Sequence, residues 1–230
     1  MLSMKTNIKA ELELNSLKEI IASKVLEERG YALVWMSAGN SYFKEEIIKR
    51  ILVFTSENFS KTIVMAPDEP AEHTFKALGY EGNETKRKAR LNANLLQNRA
   101  KRIISSLSDK EKFKVVEWID EIIPNKDYQN KLKEILNLFQ TNEQFQSDAF
   151  DTTLKVLNGK LRENINLEVA KKEGVNYLLK ELAFVLASPR IYNTQKVTYV
   201  YHHDWPIFQK LITGFYDGIK RDELNFLIFQ

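Results

Sequence analysis

The 230-residue chain contains no cysteine, which removes disulfides, thiolate metal ligands and cysteine nucleophiles from consideration. Histidine is scarce as well: His73, His202 and His203 are the whole supply, so no metal site is expected. No stretch approaches the ~20 apolar residues that span a bilayer. The opening MLSMKTNIKAELELN has no apolar run of signal-peptide length. The expectation is a cytoplasmic protein that does not enter the membrane. Excess charge of one sign is also small, +3 from 34 Lys and Arg against 31 Asp and Glu. Its distribution therefore matters more than its sum. What remains is an ordinary globular composition, 43% hydrophobic and 28% charged, in a length that suits one domain over 1–230.

Short β-rich runs alternate with longer amphipathic stretches. Tyr31–Met36, Thr62–Ala66, Phe113–Val116 and Val197–Tyr201 read as strands, several of them apolar on both faces. The spacing predicts helices over Leu17–Glu28, Tyr42–Glu57, Ala71–Leu78, Asn83–Leu107, Tyr128–Phe139 and Leu167–Ala187, with Gly30 and Gly79 as left-handed caps. Asn142–Asp151, rich in Asn, Gln, Ser and Asp, reads as a loop. The terminal LNFLIF fits either a further strand or an apolar tail. Two-sided apolar strands separated by helices define an α/β, Rossmann-like domain with a parallel sheet flanked by helices.

Ser37 follows an apolar strand directly and opens a loop, SAGNSYFKEEI, that runs into a helix. Ligands of open α/β sheets bind at the carboxyl ends of strands, so this serine is placed for acyl transfer. The plain alternative is that Ser37 or Asn40 caps the helix. Tyr177 and Glu181, four apart on a helix, share one face in apolar surroundings. A carboxylate there calls for a cationic partner such as a substrate ammonium, unless a surface lysine pairs with it. At a second strand end stands YHHDWP, Tyr201–Pro206, where Tyr201 can relay protons and His202 can hydrogen-bond into the site. Adjacent histidines on a strand face opposite ways, which disfavours joint metal ligation. The same residues also suit a polar turn.

Charge is concentrated in one stretch. Lys86, Arg87, Lys88, Arg90, Arg99, Lys101 and Arg102 occur with no acidic residue between Lys86 and Arg102. On a helix, several share a face that can track a phosphate backbone. The alternative is a solvated face whose acids lie elsewhere in the fold.

Taken together, Ser37-Ala-Gly-Asn40-Ser41-Tyr42-Phe43, Tyr177-x-x-x-Glu181 and Tyr201-His202 resemble the tRNA-dependent cyclodipeptide synthases, over most of the chain. Asn40, Tyr201 and His202 look like the branch named for asparagine, tyrosine and histidine; the other branch has proline after the tyrosine. The resemblance implies a monomeric domain similar to class I aminoacyl-tRNA synthetase catalytic domains, with no cofactor. No GxxxxGK[ST], HIGH-like or KMSKS-like signature is present. It implies that Ser37 takes an aminoacyl group from tRNA, that a dipeptidyl-enzyme follows, and that its free amine closes a diketopiperazine. By the same resemblance Glu181 with Tyr177 positions the first α-ammonium, Tyr201 assists proton transfer, and Asn40 and His202 shape the site. Leu33, Trp35 and Met65 would line the first aminoacyl pocket, and the seven cations of 86–102 would hold tRNA. Trp35 and Met36 depart from the family pattern, being bulky where small residues are often seen. Hydrophobic aminoacyl groups, leucine among them, are the implied substrates.

Two rivals have sequence support. A serine hydrolase or acyltransferase would use Ser37, His202 or His203 as base, and Asp204 or Glu181 as orienter; it lacks a GxSxG elbow. A non-catalytic tRNA- or RNA-binding module needs only the basic helix.

Overall fold

The sheet orders its five strands β3-β2-β1-β4-β5, all parallel. In the computed structural model, which describes residues 26–158, 161, 165–219 and 224–229, the strands are β1 Tyr31–Trp35, β2 Lys61–Met65, β3 Phe113–Val116, β4 Val197–Tyr201 and β5 Leu224–Ile228. The four expected strands are present. The undecided LNFLIF is the fifth, paired with β4 in parallel register from Val197↔Leu224 to Tyr201↔Ile228. The central strands are buried on both faces, which is why their sequences read as continuous apolar runs.

The helices are α1 Glu45–Asn58, α2 Glu69–Ala77, α3 Gly82–Ser105, α4 Lys126–Thr141, α5 Glu143–Leu157, α6 Leu167–Ile191 and α7 Pro206–Thr213. The expected helix Leu17–Glu28 lies, apart from its last residues, outside the described residues. Among the described residues no helix is long and apolar enough to cross a membrane.

Asn142–Asp151 is not a loop. Asn142 accepts from the Phe145 amide as an N-cap, and the polar residues ride on a helix that buries Phe145, Ala149, Thr152 and Thr153. Its apolar stripe is short and half of it is threonine, so composition concealed the helical period. The first expected glycine cap is also corrected. Arg29, not Gly30, takes the left-handed conformation, φ 44°. Gly30 serves a close approach instead, since a Cβ there would lie 2.8 Å from the Lys196 carbonyl oxygen. Gly79 does adopt the left-handed conformation, φ 82°.

Helix α6 is the spine of the site. It packs against α2, α4 and α5 and is buried almost all round from Leu178 to Pro189. Proline at 189 removes the amide that would bond the Val185 carbonyl, and the Ser188 hydroxyl occupies that carbonyl at 2.7 Å, letting the helix run on to Ile191.

The chain builds β1, β2 and β3 outward in one direction and then places β4 on the other side of β1. The carboxyl ends of β1 and β4 therefore flank the point where strand order reverses, the crevice in which α/β sheets hold ligands. Ser37 and Tyr201 stand at those two ends.

Candidate active site

Registered residues of parallel strands point to the same face. Leu33 pairs with Tyr199 and with Ile63, and Trp35 with Met65, so Leu33, Trp35, Met65, Tyr199 and Tyr201 share one face of the sheet. Helix α6 lays Tyr177 and Glu181 over it. Beyond β1, Met36 continues the ladder through its amide to the Met65 carbonyl, 2.7 Å. A turn from Ser37 to Asn40 then closes through Asn40 N to Ser37 O, 3.1 Å, with Gly39 at φ 80° in its third position, where a side chain would be strained.

Neither Ser37 nor Asn40 caps the following helix. The Asn40 side chain accepts from the Tyr42 amide at 3.0 Å and Lys44 N bonds Tyr42 O at 2.7 Å. These bonds delay the helix from the expected Tyr42 to Glu45, with Lys44 at its N-cap and no capping side chain. The serine hydroxyl is used elsewhere. Ser37 Oγ lies 3.1 Å from the Tyr201 hydroxyl and accepts from the Tyr177 hydroxyl at 3.3 Å. Trp35 Nε1 donates to the Tyr177 oxygen at 2.8 Å.

Glu181 is buried, 6% exposed, and the Tyr199 hydroxyl donates to its Oε1. Burial pushes its carboxyl up to about 7, against the opposing pull of the Tyr199 bond. Among the described residues no lysine relieves it; the nearby Lys180 pairs with Glu69. Burial first, and then the Glu181 carboxylate, raise both Tyr177 and Tyr201 above the ordinary tyrosine value. Both remain protonated phenols at neutral pH.

Asn40 Nδ2 is 3.4 Å from His202 Nε2, and the His202 ring stacks on Tyr42 with centroids 3.9 Å apart. Among the described residues no histidine hydrogen-bonds Ser37, so the serine–histidine pair that the hydrolase reading needs is not formed. His73 pairs with Glu173 at 2.6 Å.

These groups open on a cavity of about 1050 Å³ lined by Ser37, Asn40, Tyr177, Glu181, Tyr201 and His202 among others. That is at the upper end of the roughly 300–1,000 Å³ of small-molecule pockets. Its apolar wing lies between α2, α5 and α6, where Gly174 permits the approach: a Cβ on it would collide with the Thr153 methyl.

The expected pocket lining by Leu33, Trp35 and Met65 is corrected. All three are fully buried and none borders the cavity. Trp35 packs on Trp118 and Phe184, ring centroids 5.7 Å away in each case, so aromatic side chains fill the space beneath the serine. Sequence reasoning gave no role to Tyr199, although its two-residue spacing from Tyr201 was the available signal.

The seven cations divide. Lys101 pairs with Glu117 at 3.1 Å, Arg102 with Glu45 at 2.9 Å, and Lys88 lies 4.0 Å from Glu84 and over the Tyr80 ring. Arg99 donates to the Phe43 carbonyl at 3.4 Å. Lys86, Arg87 and Arg90 are exposed and, among the described residues, meet no acid.

The family model for cyclodipeptide synthases matches residues 21–228, and the chain belongs to that family. The cyclo(L-leucyl-L-leucyl) synthase of Bacillus subtilis (strain 168) is 24% identical over 212 residues, 90% of this chain and 85% of the relative. A cyclodipeptide synthase from Bacillus thermoamylovorans superposes with TM-score 0.78 at 20% identity, over 90% of this chain and 91% of that one. A Mycobacterium tuberculosis protein whose structure relates cyclodipeptide synthetases to type I tRNA synthetases gives TM-score 0.74 at 19% identity, over 89% and 87%. A synthase from Candidatus Glomeribacter gigasporarum, bound to Phe-tRNAPhe, gives 0.59 at 14%, over 87% of each chain. The α/β fold is shared with those structures, and the protein is an aminoacyltransferase of the cyclodipeptide synthase family.

Proposed function

We propose that the protein joins two aminoacyl groups, delivered as tRNA esters, into a cyclic dipeptide by a ping-pong route through intermediates on Ser37. One observation carries this reading: at the switch point of the sheet, the Ser37 hydroxyl is held between two phenols beside a buried carboxylate that, among the described residues, no lysine neutralises. The reading extends to the family branch named for asparagine, tyrosine and histidine, and the presence of Asn40, Tyr201 and His202 supports it.

The Tyr177 phenol donates to Ser37 Oγ, and the Tyr201 hydroxyl shares a second hydrogen bond with it, through which we route the serine proton. Ser37 Oγ attacks the ester carbonyl, the carbon–oxygen bond to the tRNA breaks, and the serine proton, passed towards Tyr201, ends on the departing 3′-hydroxyl. Glu181 receives the α-ammonium of the bound acyl group. Its value near 7 lies close to the roughly 8 of an α-amine, so it can accept the proton that frees the amine. That amine attacks the ester of a second aminoacyl-tRNA, giving a dipeptide still esterified to Ser37 and a second free tRNA. Attack in the other direction would move the dipeptide onto tRNA and empty the serine. Finally the dipeptide's own amine attacks the Ser37 ester, the ring closes, and Ser37 recovers its proton. Both esters arrive activated, so the site needs positioning and proton handling.

The test is purified protein with bulk tRNA charged with the twenty amino acids, analysed by mass spectrometry for every cyclic dipeptide mass. Products are expected with charged tRNA, without ATP, and not after ribonuclease treatment; their masses name the substrates. Soluble protein that yields none overturns the reading.

The free cations of α3 are read as the tRNA contact. Replacing Lys86, Arg87 and Arg90 by Ala should raise the KM for charged tRNA with kcat kept, and reduce the slope of log Kd against log salt by about three, near one per lost phosphate contact. Lys101→Ala with Arg102→Ala should shift it less, because those side chains already face acids. Equal shifts from both sets would reject the division.

A further inference from the structure

The fold leaves the indole nitrogen of Trp35 with a specific task. Trp35 is fully buried and does not line the cavity. Its ring is fixed from three sides, edge-on to Trp118 at 5.7 Å and to Tyr177 at 6.3 Å, and tilted against Phe184 at 5.7 Å. An indole N–H is a donor only, and a buried one requires an acceptor. The acceptor is the Tyr177 oxygen, 2.8 Å away.

This bond constrains the phenol. A tyrosine hydroxyl has one hydrogen, which rotates to suit its neighbours. With Trp35 donating to the oxygen, the Tyr177 hydrogen turns away from the indole, towards Ser37 Oγ at 3.3 Å. Ser37 Oγ, which has two acceptor lone pairs and one hydrogen, receives that hydrogen and shares a further hydrogen bond with the Tyr201 hydroxyl at 3.1 Å. The direction of the first two links, Trp35 to Tyr177 to Ser37, is thus set at the buried end, by a group that cannot reverse its role.

The geometry points to Trp35 as a positioning residue for acyl transfer: its N–H orients the Tyr177 hydroxyl so that it donates to Ser37 Oγ. The inference rests on the acyl-transfer reading of Ser37 and goes beyond it, because it predicts that a residue outside the cavity acts on the acylation rate through one named hydroxyl.

The experiment measures single-turnover aminoacylation of Ser37 by intact-protein mass, using bulk charged tRNA, in wild type, Trp35→Phe, Tyr177→Phe and the double variant. Trp35 replaced by its benzothiophene isostere, which keeps the shape and lacks the N–H, is included so that a packing defect in Trp35→Phe does not decide the result. Loss of the donor should slow acylation about tenfold, the worth of one buried hydrogen bond, with the apparent KM for charged tRNA unchanged. With Tyr177→Phe in place the same change should slow it less than twofold, since the group it acts through is gone. Equal losses in both backgrounds, or full activity of the isostere, would show the indole to be packing alone and overturn the proposal. Wild-type protein that never gains an aminoacyl mass on Ser37 would instead overturn the acyl-transfer reading itself.

Discussion

Ser37→Ala should eliminate cyclic dipeptide formation, a fall of at least about 10³-fold, while leaving the fold in place. The magnitude follows from losing the nucleophile: what survives is positioning and binding, which by themselves cannot form the enzyme ester. The fold should tolerate the change because Ser37 is only partly buried and its main-chain turn is closed by Asn40 N and Gly39 rather than by the hydroxyl. Removing Oγ takes one partner each from Tyr177 and Tyr201; Tyr177 keeps its bond from Trp35. A stability loss of about 1–2 kcal/mol is expected, worth a few degrees in Tm for a chain of this size. The decisive measurement pairs product analysis with intact mass. Wild type incubated with charged tRNA should carry an aminoacyl increment that the alanine variant lacks. Product from Ser37→Ala at more than a per cent of the wild-type rate would mean that the ester is transferred directly between tRNAs, and the covalent route would be abandoned. Tight tRNA binding by the variant with no product would also set aside the RNA-binding module.

How far the sequence foretold these groups varies with the physics behind each. The strands were readable because burial on both faces leaves β-branched and aromatic runs such as YALVW and VTYVY, a pattern needing no partner to be seen. α5 was unreadable by composition: its buried stripe contains Thr152 and Thr153, which look like loop residues until the helix is built. The site is a product of topology. Ser37, Tyr177, Glu181 and Tyr201 lie up to 164 positions apart, and only the reversal of strand order at β1 and β4 brings them together. Spacing alone tied Tyr177 to Glu181; family resemblance tied the rest. Strand alternation put Trp35 on the right face of β1 but not in the right place, because whether a side chain on that face borders a cavity or closes a core depends on what α6 and Trp118 set against it. The basic stretch was half legible for a similar reason. The acids that engage Lys101 and Arg102 come from Glu117 and Glu45, residues outside the window in which the run is acid-free.

Glu181→Gln should produce the other large effect, and of opposite sign in stability and activity. The carboxyl stands raised from an ordinary 4.5 to about 7, with burial as the cause and the Tyr199 bond opposing it. At about 1.36 kcal/mol per unit, that rise is a penalty of about 3 kcal/mol on the charged form in the empty site. The folded protein binds a proton on Glu181 between pH 4.5 and 7 that the unfolded chain does not hold. Stability from this group therefore rises as pH falls through 7, and the full penalty is present above 7. Glutamine is neutral at every pH and can still accept from Tyr199. The variant should melt several degrees above wild type at pH 8, at roughly 2–4 °C per kcal/mol, and the gap should narrow severalfold by pH 5 and close below the unfolded value of 4.5. Activity should move the other way. Removing the charge that receives the α-ammonium should lower kcat/KM by about 10²–10³-fold, the range for one partner of a buried ion pair. In wild type kcat/KM should rise with pH around 7 as Glu181 ionises, an acid limb absent from the variant. A Gln variant as active as wild type, or one whose melting gap is the same at pH 5 and 8, would show that Glu181 is not a buried anion awaiting a cation. The penalty that weakens the empty protein is, on this account, what makes the site bind an ammonium: the substrate's charge relieves it, and so the carboxylate is held in a place where only a cationic ligand makes it comfortable.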